Sequence, residues 1–161
     1  MTGTLKFATV WLVLGTLVFV GVQWREQQAN RTSFSTDGDI VELRRRADGH
    51  YHWPGTLNGR AVDFLVDTGA TGVAIPAALA RELDLPSLGS VRSSTAGGEV
   101  RGDVVRADLT LEGGVRVERL RMVALPHLEG PLLGMDVLGR LPWQQRDGAL
   151  RIDLRPADAR R

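Results

Sequence analysis

The chain contains no cysteine, which excludes disulfides, thiolate metal sites and a cysteine nucleophile and leaves the redox compartment unread. An excess of one charge sign is also lacking: 20 Lys and Arg stand against 19 Asp and Glu, for a net charge of +1. The two signs are interspersed, so there is no sustained basic face with which to hold nucleic acid. Histidine is scarce, three in all, which leaves few candidates for ligand or base. No internal repeat or low-complexity tract suggests a solenoid or a disordered effector. Length excludes one further class. A chain of 161 residues is one domain's worth. With an apolar N-terminal segment and a polar stretch set aside, roughly 120 residues remain to fold, too few for a two-lobed enzyme that carries a motif twice.

From Phe7 to Trp24 the sequence carries no charged residue. As a helix rising about 1.5 Å per residue it would be roughly 27 Å long, close to the hydrocarbon core of a bilayer. The rival is a cleaved signal peptide, whose apolar region is usually about 7 to 15 residues and ends in a small-x-small site. Here Gln23, Trp24, Arg25 and Glu26 come instead. The expectation is therefore a tail over residues 1–6, a single transmembrane anchor over 7–24, a polar linker over 25–39, a folded domain over 40–155 and a C-terminal tail over 156–161. Lys6 and the amino terminus nearly balance Arg25 and Arg31, so charge does not set the orientation.

Past the linker the pattern changes to short runs of Val, Leu and Ile, punctuated by Asn58-Gly59, Gly97-Gly98, Gly113-Gly114 and Asp147-Gly148, as in a mainly β domain. Residues 50–57 and 60–66 flank Asn58-Gly59, whose residues tolerate the positive φ of a tight hairpin. A helix is expected over Pro76–Leu85, where proline suits the first turn and Ala78, Leu79, Leu83 and Leu85 share a face. A second, short helix is expected over Met135–Leu141. In the last strand Leu150, Ile152 and Leu154 face one way and Arg151, Asp153 and Arg155 the other.

The chemistry concentrates at Phe64-Leu65-Val66-Asp67-Thr68-Gly69-Ala70, where an apolar strand runs into a carboxylate, a hydroxyl and a glycine. A carboxylate at such a strand end needs hydrogen-bond partners, which backbone N–H groups in the turn through Gly69 can supply, with Thr68 bracing the loop. An ordinary strand-to-turn junction has the same composition. Three segments in order, however, resemble the retropepsin-like aspartic peptidases, including their single-lobed, bacterial, membrane-anchored members. Leu65–Pro76 (LVDTGATGVAIP) is similar to the active-site loop of that family. Ser93–Val105 (SSTAGGEVRGDVV) is similar to its glycine-tipped flap, and Leu132–Leu141 (LLGMDVLGRL) to its two apolar residues and glycine before a short helix.

The resemblance implies a single-lobed, closed β barrel with one or two short helices, preceded by a transmembrane helix. It implies Asp67 as the catalytic residue, with Thr68, Gly69 and Ala70 supporting the loop. Ala96, Gly97 and Gly98 would form the flap over substrate, and Leu132, Leu133 and Gly134 a structural motif near the site. No metal or other cofactor is implied. One aspartate cannot serve as acid and base at once, whereas two carboxylates about 3 Å apart share a proton and do both. The pair would then be Asp67 from each chain of a homodimer acting on a protein or peptide substrate, at a bacterial inner membrane with the domain in the periplasm. A non-catalytic peptide-binding or sensing module on the same fold, and a structural membrane adaptor, are the rival classes.

The remaining candidates have plainer readings. Asp136 reads as a helix-start cap and not as half of an intrachain carboxylate pair. His50 and His52 alternate onto one strand face but lack a third ligand nearby, and His127 reads as a loop residue. Arg44-Arg45-Arg46 reads as a solvated strand edge, with anionic lipid as the alternative. Ser93, Ser94 and Thr95 have no evident histidine partner for nucleophilic catalysis.

Overall fold

The computed structural model describes residues 11–21, 34–95 and 98–155, and divides the chain into a unit over Met1–Ser33 and a unit over Phe34–Arg161. In the first unit residues 11–21 form helix α1, on which Trp11, Leu12, Leu17, Val18 and Phe19 are exposed. Among the described residues no helix is long and apolar enough to cross a membrane. Residues 7–10 and 22–24 of the expected anchor, the tail over 1–6 and the linker up to residue 33 lie outside the described residues, as does the C-terminal tail over 156–161.

The second unit is built from two sheets. β1 (Phe34–Asp37) and β2 (Ile40–Arg44) form a hairpin, to which β11 (Ala149–Asp153) and then β10 (Trp143–Arg146) are added in the order β1-β2-β11-β10. Residues 34–37 fall within the linker expected from sequence. They form a strand because Gly38, at φ +59, turns the chain so that Phe34 to Asp37 pair with Leu43 back to Ile40. The polar character of β1 suits an edge strand whose residues 35–37 are exposed.

The second sheet contains β3 (His52–Leu57), β4 (Arg60–Val66), β5 (Ala74–Pro76), β6 (Ser90–Thr95), β7 (Gly98–Leu111), β8 (Arg116–Leu125) and β9 (Leu132–Leu133). Its order is β3-β4-β9-β5-β8-β7-β6, and a further β3–β7 pairing closes it into the expected barrel. At that seam Gly55 faces Leu111, and a methyl on Gly55 would lie 2.5 Å from the Thr110 carbonyl oxygen, so the two backbones meet only because residue 55 is glycine. The β3–β4 hairpin turns at Asn58 and Gly59, with φ +47 and +83, as Asn-Gly sequences favour. Two contacts are parallel, β4 with β9 and β5 with β8, and both require the chain to leave the barrel and return.

The alternating strands turn Trp53, Leu57 and Phe64 inward with Leu109, Leu111, Met122 and Leu133, all at most 1 % exposed. Val41 and Leu43 of β2 and Leu150 and Ile152 of β11 join the same core, so the small sheet is fastened to the barrel by its inner face. Full burial of each large side chain contributes about 1.5–3 kcal/mol. Trp53 is further tied by its indole N–H, which donates to the Glu112 carbonyl at 2.8 Å. The helices are shorter than expected. α2 covers Ala77–Glu82 and ends as Asp84 takes φ +50, while α3 covers Met135–Leu138. Pro142 follows closely and disfavours helical backbone just before it.

Candidate active site

Strand β4 delivers Asp67 to the end of the barrel. Two residues earlier Leu65 lies beside Leu132, and Val66 beside Leu133, in the parallel contact with β9. Its backbone N–H continues that contact by donating to the Leu133 carbonyl at 3.0 Å. The half-buried carboxylate is aimed by its own turn, because the Gly69 N–H donates to Asp67 Oδ1 at 2.9 Å. Ala70 N–H donates to the Asp67 carbonyl at 3.3 Å. A methyl on Gly69 would lie 3.2 Å from Asp67 Oδ1, so glycine keeps that approach free. Thr68 is exposed.

The Leu132-Leu133-Gly134 segment lies against the same loop. Met135 N–H donates to the Ala70 carbonyl at 2.9 Å and Asp136 N–H to the Thr71 carbonyl at 3.1 Å. Gly134 sits so close that a methyl there would be 2.5 Å from both the carbonyl carbon and oxygen of Gly72. Asp136 is not the cap expected from sequence. The N-cap of α3 is Gly134, without a side-chain bond, and Asp136 Oδ2 instead accepts the Val73 N–H at 3.2 Å. The tertiary partner wins because Val73 is 1 % exposed and its N–H has no access to water.

The expected glycine-tipped hairpin is formed by β6 and β7 in register, from Ser90 opposite Asp103 to Thr95 opposite Gly98. Gly98 has φ +108, while Ala96 and Gly97 lie outside the described residues. At its base Gly102 has no room for a side chain, since a methyl would lie 2.6 Å from Val123 Cγ1 and 2.8 Å from the Ala124 carbonyl oxygen.

An ion cluster that sequence reading missed joins the segment before β3 to β3 and β4. His52 Nε2 lies 2.7 Å from Asp48 Oδ2 and its Nδ1 lies 3.3 Å from Asp63 Oδ2, while Arg46 pairs with Asp63. His50 belongs to the preceding turn, its N–H donating to Asp48 Oδ1, so His50 and His52 do not share a strand face. That bond and the neighbouring His52 ring hold the Asp48 carboxyl below its ordinary range. The three consecutive arginines also diverge: Arg44 reaches Glu42, Arg45 lies over the Tyr51 ring at 5.5 Å, and Arg46 joins the cluster. Only spacing across the β3–β4 register, with Asp63 opposite Pro54 and His52 opposite Leu65, hinted at the Asp63–His52 contact.

A model of the aspartyl protease family matches residues 53–137, more than half of the chain, from within β3 to within α3. The chain belongs to the aspartyl protease family. Its domain is retropepsin-like: a retropepsin-like aspartic protease from Rickettsia conorii superposes with a TM-score of 0.57 at 20% identity, covering 74% of this chain and 94% of that one. EIAV protease complexed with an inhibitor superposes with a TM-score of 0.48 at 18% identity over 58% of this chain and 89% of the other. An uncharacterized protein of Rickettsia prowazekii is 31% identical over 122 residues, 74% of this chain. The aligned part is 53% of that relative, so this chain spans about half of its length. Asp67, Gly69 and Gly134 all fall within the family match.

Proposed function

We propose that this retropepsin-like domain is an aspartic endopeptidase that works as a homodimer, with one Asp67 from each chain forming the catalytic pair. The observation that carries this reading is the presentation of Asp67. It stands at the end of a barrel strand with one oxygen held by the Gly69 N–H, inside the segment that matches aspartyl proteases. Each chain has one such aspartate, and acid–base hydrolysis needs two groups. Two carboxylates about 3 Å apart cannot both be ionised and share one proton.

The charged member takes a proton from water, whose oxygen attacks the peptide carbonyl carbon, while the protonated member gives its proton to the carbonyl oxygen. Collapse of the tetrahedral intermediate breaks the C–N bond, and a proton passes to the leaving nitrogen. The β6–β7 hairpin, with Ala96, Gly97 and Gly98 at its tip, closes over an extended peptide and offers backbone hydrogen bonds to it. Residues 7–24 anchor the chain in a bacterial inner membrane with the domain on the periplasmic side. The support for an anchor is the uncharged run from Phe7 to Trp24 and the exposed apolar side chains of α1.

The test is cleavage of a broad peptide mixture by the 161-residue chain in detergent, wild type beside Asp67→Asn, over acidic to neutral pH and a dilution series. Cleavage that falls faster than linearly on dilution and vanishes in Asp67→Asn, with folding intact, is the expected result. A folded, dimeric wild type that cleaves nothing refutes the peptidase and favours a peptide-binding module.

A further inference from the structure

Asp67 and the segment after it are tied to β9 and the start of α3 by four hydrogen bonds. Three join backbone to backbone and are indifferent to side-chain identity: Asp67 N–H to the Leu133 carbonyl, Met135 N–H to that of Ala70, and Asp136 N–H to that of Thr71. The fourth runs from the Val73 N–H to Asp136 Oδ2 and depends on one side chain. It closes the far end of the loop, where Val73 enters β5 and its carbonyl accepts the Val123 N–H. The Asp136 carboxylate is packed on Gly72, where a methyl would lie 3.3 Å from Oδ2. Asp136 Oδ1 is buried and has no partner among the described residues. The residue is half-buried, but an unpartnered buried oxygen is costly to keep, and neither helix capping nor a counter-charge accounts for this one.

We propose that Asp136 is a positioning residue for Asp67: by accepting the Val73 N–H it pins the end of the 68–73 loop, and that loop carries the Gly69 N–H that aims Asp67 Oδ1. The proposal rests on the reading of Asp67 as catalytic. Loss of the acceptor leaves a buried N–H unpaired, and the loop moves to hydrate it. Displacement of a reacting group by about 1 Å costs on the order of 100-fold in rate. An acceptor role needs shape and a lone pair, not a charge, so asparagine substitutes for it.

The experiment compares Asp136→Ala and Asp136→Asn with wild type in the 161-residue chain, reading kcat, KM, the pH profile of cleavage and hydrogen exchange at the Val73 amide. In Asp136→Ala, kcat falls by about 100-fold with KM little changed, and the Val73 amide loses protection. In Asp136→Asn, kcat, the pH profile and Val73 protection stay close to wild type. Unchanged kcat and protection in Asp136→Ala overturn the proposal. So does an Asp136→Asn variant with displaced pH profile or lost activity, because the residue would then act through its charge. If Asp136→Ala does not fold, Asp136→Asn alone decides between these outcomes. Protection at Val73 that follows the acceptor in a chain with no peptidase activity upholds the clamp and refutes only the catalytic reading of Asp67.

Discussion

Replacing Gly134 by alanine tests whether the Asp67 loop and the start of α3 form one rigid unit. Gly134 has φ −94, open to any residue, so the substitution changes contacts and not backbone preference. The new methyl would stand 2.5 Å from the Gly72 carbonyl carbon and oxygen and 2.8 Å from its Cα, where ordinary contact begins at 3.4 Å. Backbone atoms cannot swing aside as a side chain can, so the two segments must part by about 0.9 Å, the gap between 2.5 and 3.4 Å. Overpacking of this kind costs about 1–3 kcal/mol. The same shift stretches the bonds from Met135 and Asp136 to Ala70 and Thr71, now 2.9 and 3.1 Å, out of hydrogen-bonding range, at about 1 kcal/mol each. A total of about 3–5 kcal/mol lowers the melting temperature by roughly 12–20 °C for a unit of this size. Thermal unfolding followed by far-UV circular dichroism measures it, beside Gly130→Ala, where a methyl meets nothing within 4 Å and the change should stay within about 0.5 kcal/mol. If Gly134→Ala melts with Gly130→Ala and cleaves peptides like wild type, the two segments are not rigidly coupled and the account of the site is wrong.

Gly55→Ala should open the β3–β7 seam, because its methyl would lie 2.5 Å from the Thr110 oxygen; a loss of about 2 kcal/mol is expected, with faster amide exchange at Glu112 and Asn58, whose N–H groups donate across the seam to the Pro54 and Asp108 carbonyls. Trp53→Ala removes the largest buried side chain and leaves the Glu112 carbonyl without its indole donor, and should cost about 3–5 kcal/mol in denaturant melts. The Arg151 guanidinium, hydrogen-bonded to Glu42 at 2.8 Å, holds the Glu42 carboxyl below its ordinary value of 4.5. A lowered folded pKa contributes stability that is complete above the unfolded value and lost as pH falls through the folded one. Acid unfolding of wild type should therefore steepen below about pH 4.5, and Glu42→Gln should lower stability at neutral pH, change little in strong acid, and so flatten that limb.

The barrel was legible wherever local chemistry and tertiary pairing agree. Asn58-Gly59 has the backbone freedom that its turn uses, and the residues on either side of it pair as expected. Helix Pro76–Leu85 was legible in place but not in length, because Asp84 tolerates positive φ and ends it early. His50 was assigned to a strand on alternation alone, yet the Asp48 carboxylate captures its N–H and bends the chain. Residues 34–37 were read as tether because their polarity is that of a linker, and an edge strand has the same polarity.

The candidate site divides along the same line. Asp67-Thr68-Gly69 is contiguous, and the Gly69 N–H on Asp67 Oδ1 is a local bond, so sequence order alone carries it. The contact that fixes the loop from behind joins residues 63 positions apart, and nothing near Asp136 in sequence distinguishes an acceptor for Val73 from a cap for its own helix. Capping preference describes a helix end in water, where the nearest unpaired N–H groups are its own. Here β4 and β9 run parallel, which places the start of α3 beside the loop leaving β4 and offers Asp136 a buried N–H that water cannot serve. A parallel contact between two short strands leaves no periodic signal in either. The residues that shape such a site from behind are therefore found only after the return path of the chain is known, whereas those that face substrate can be read from one strand end.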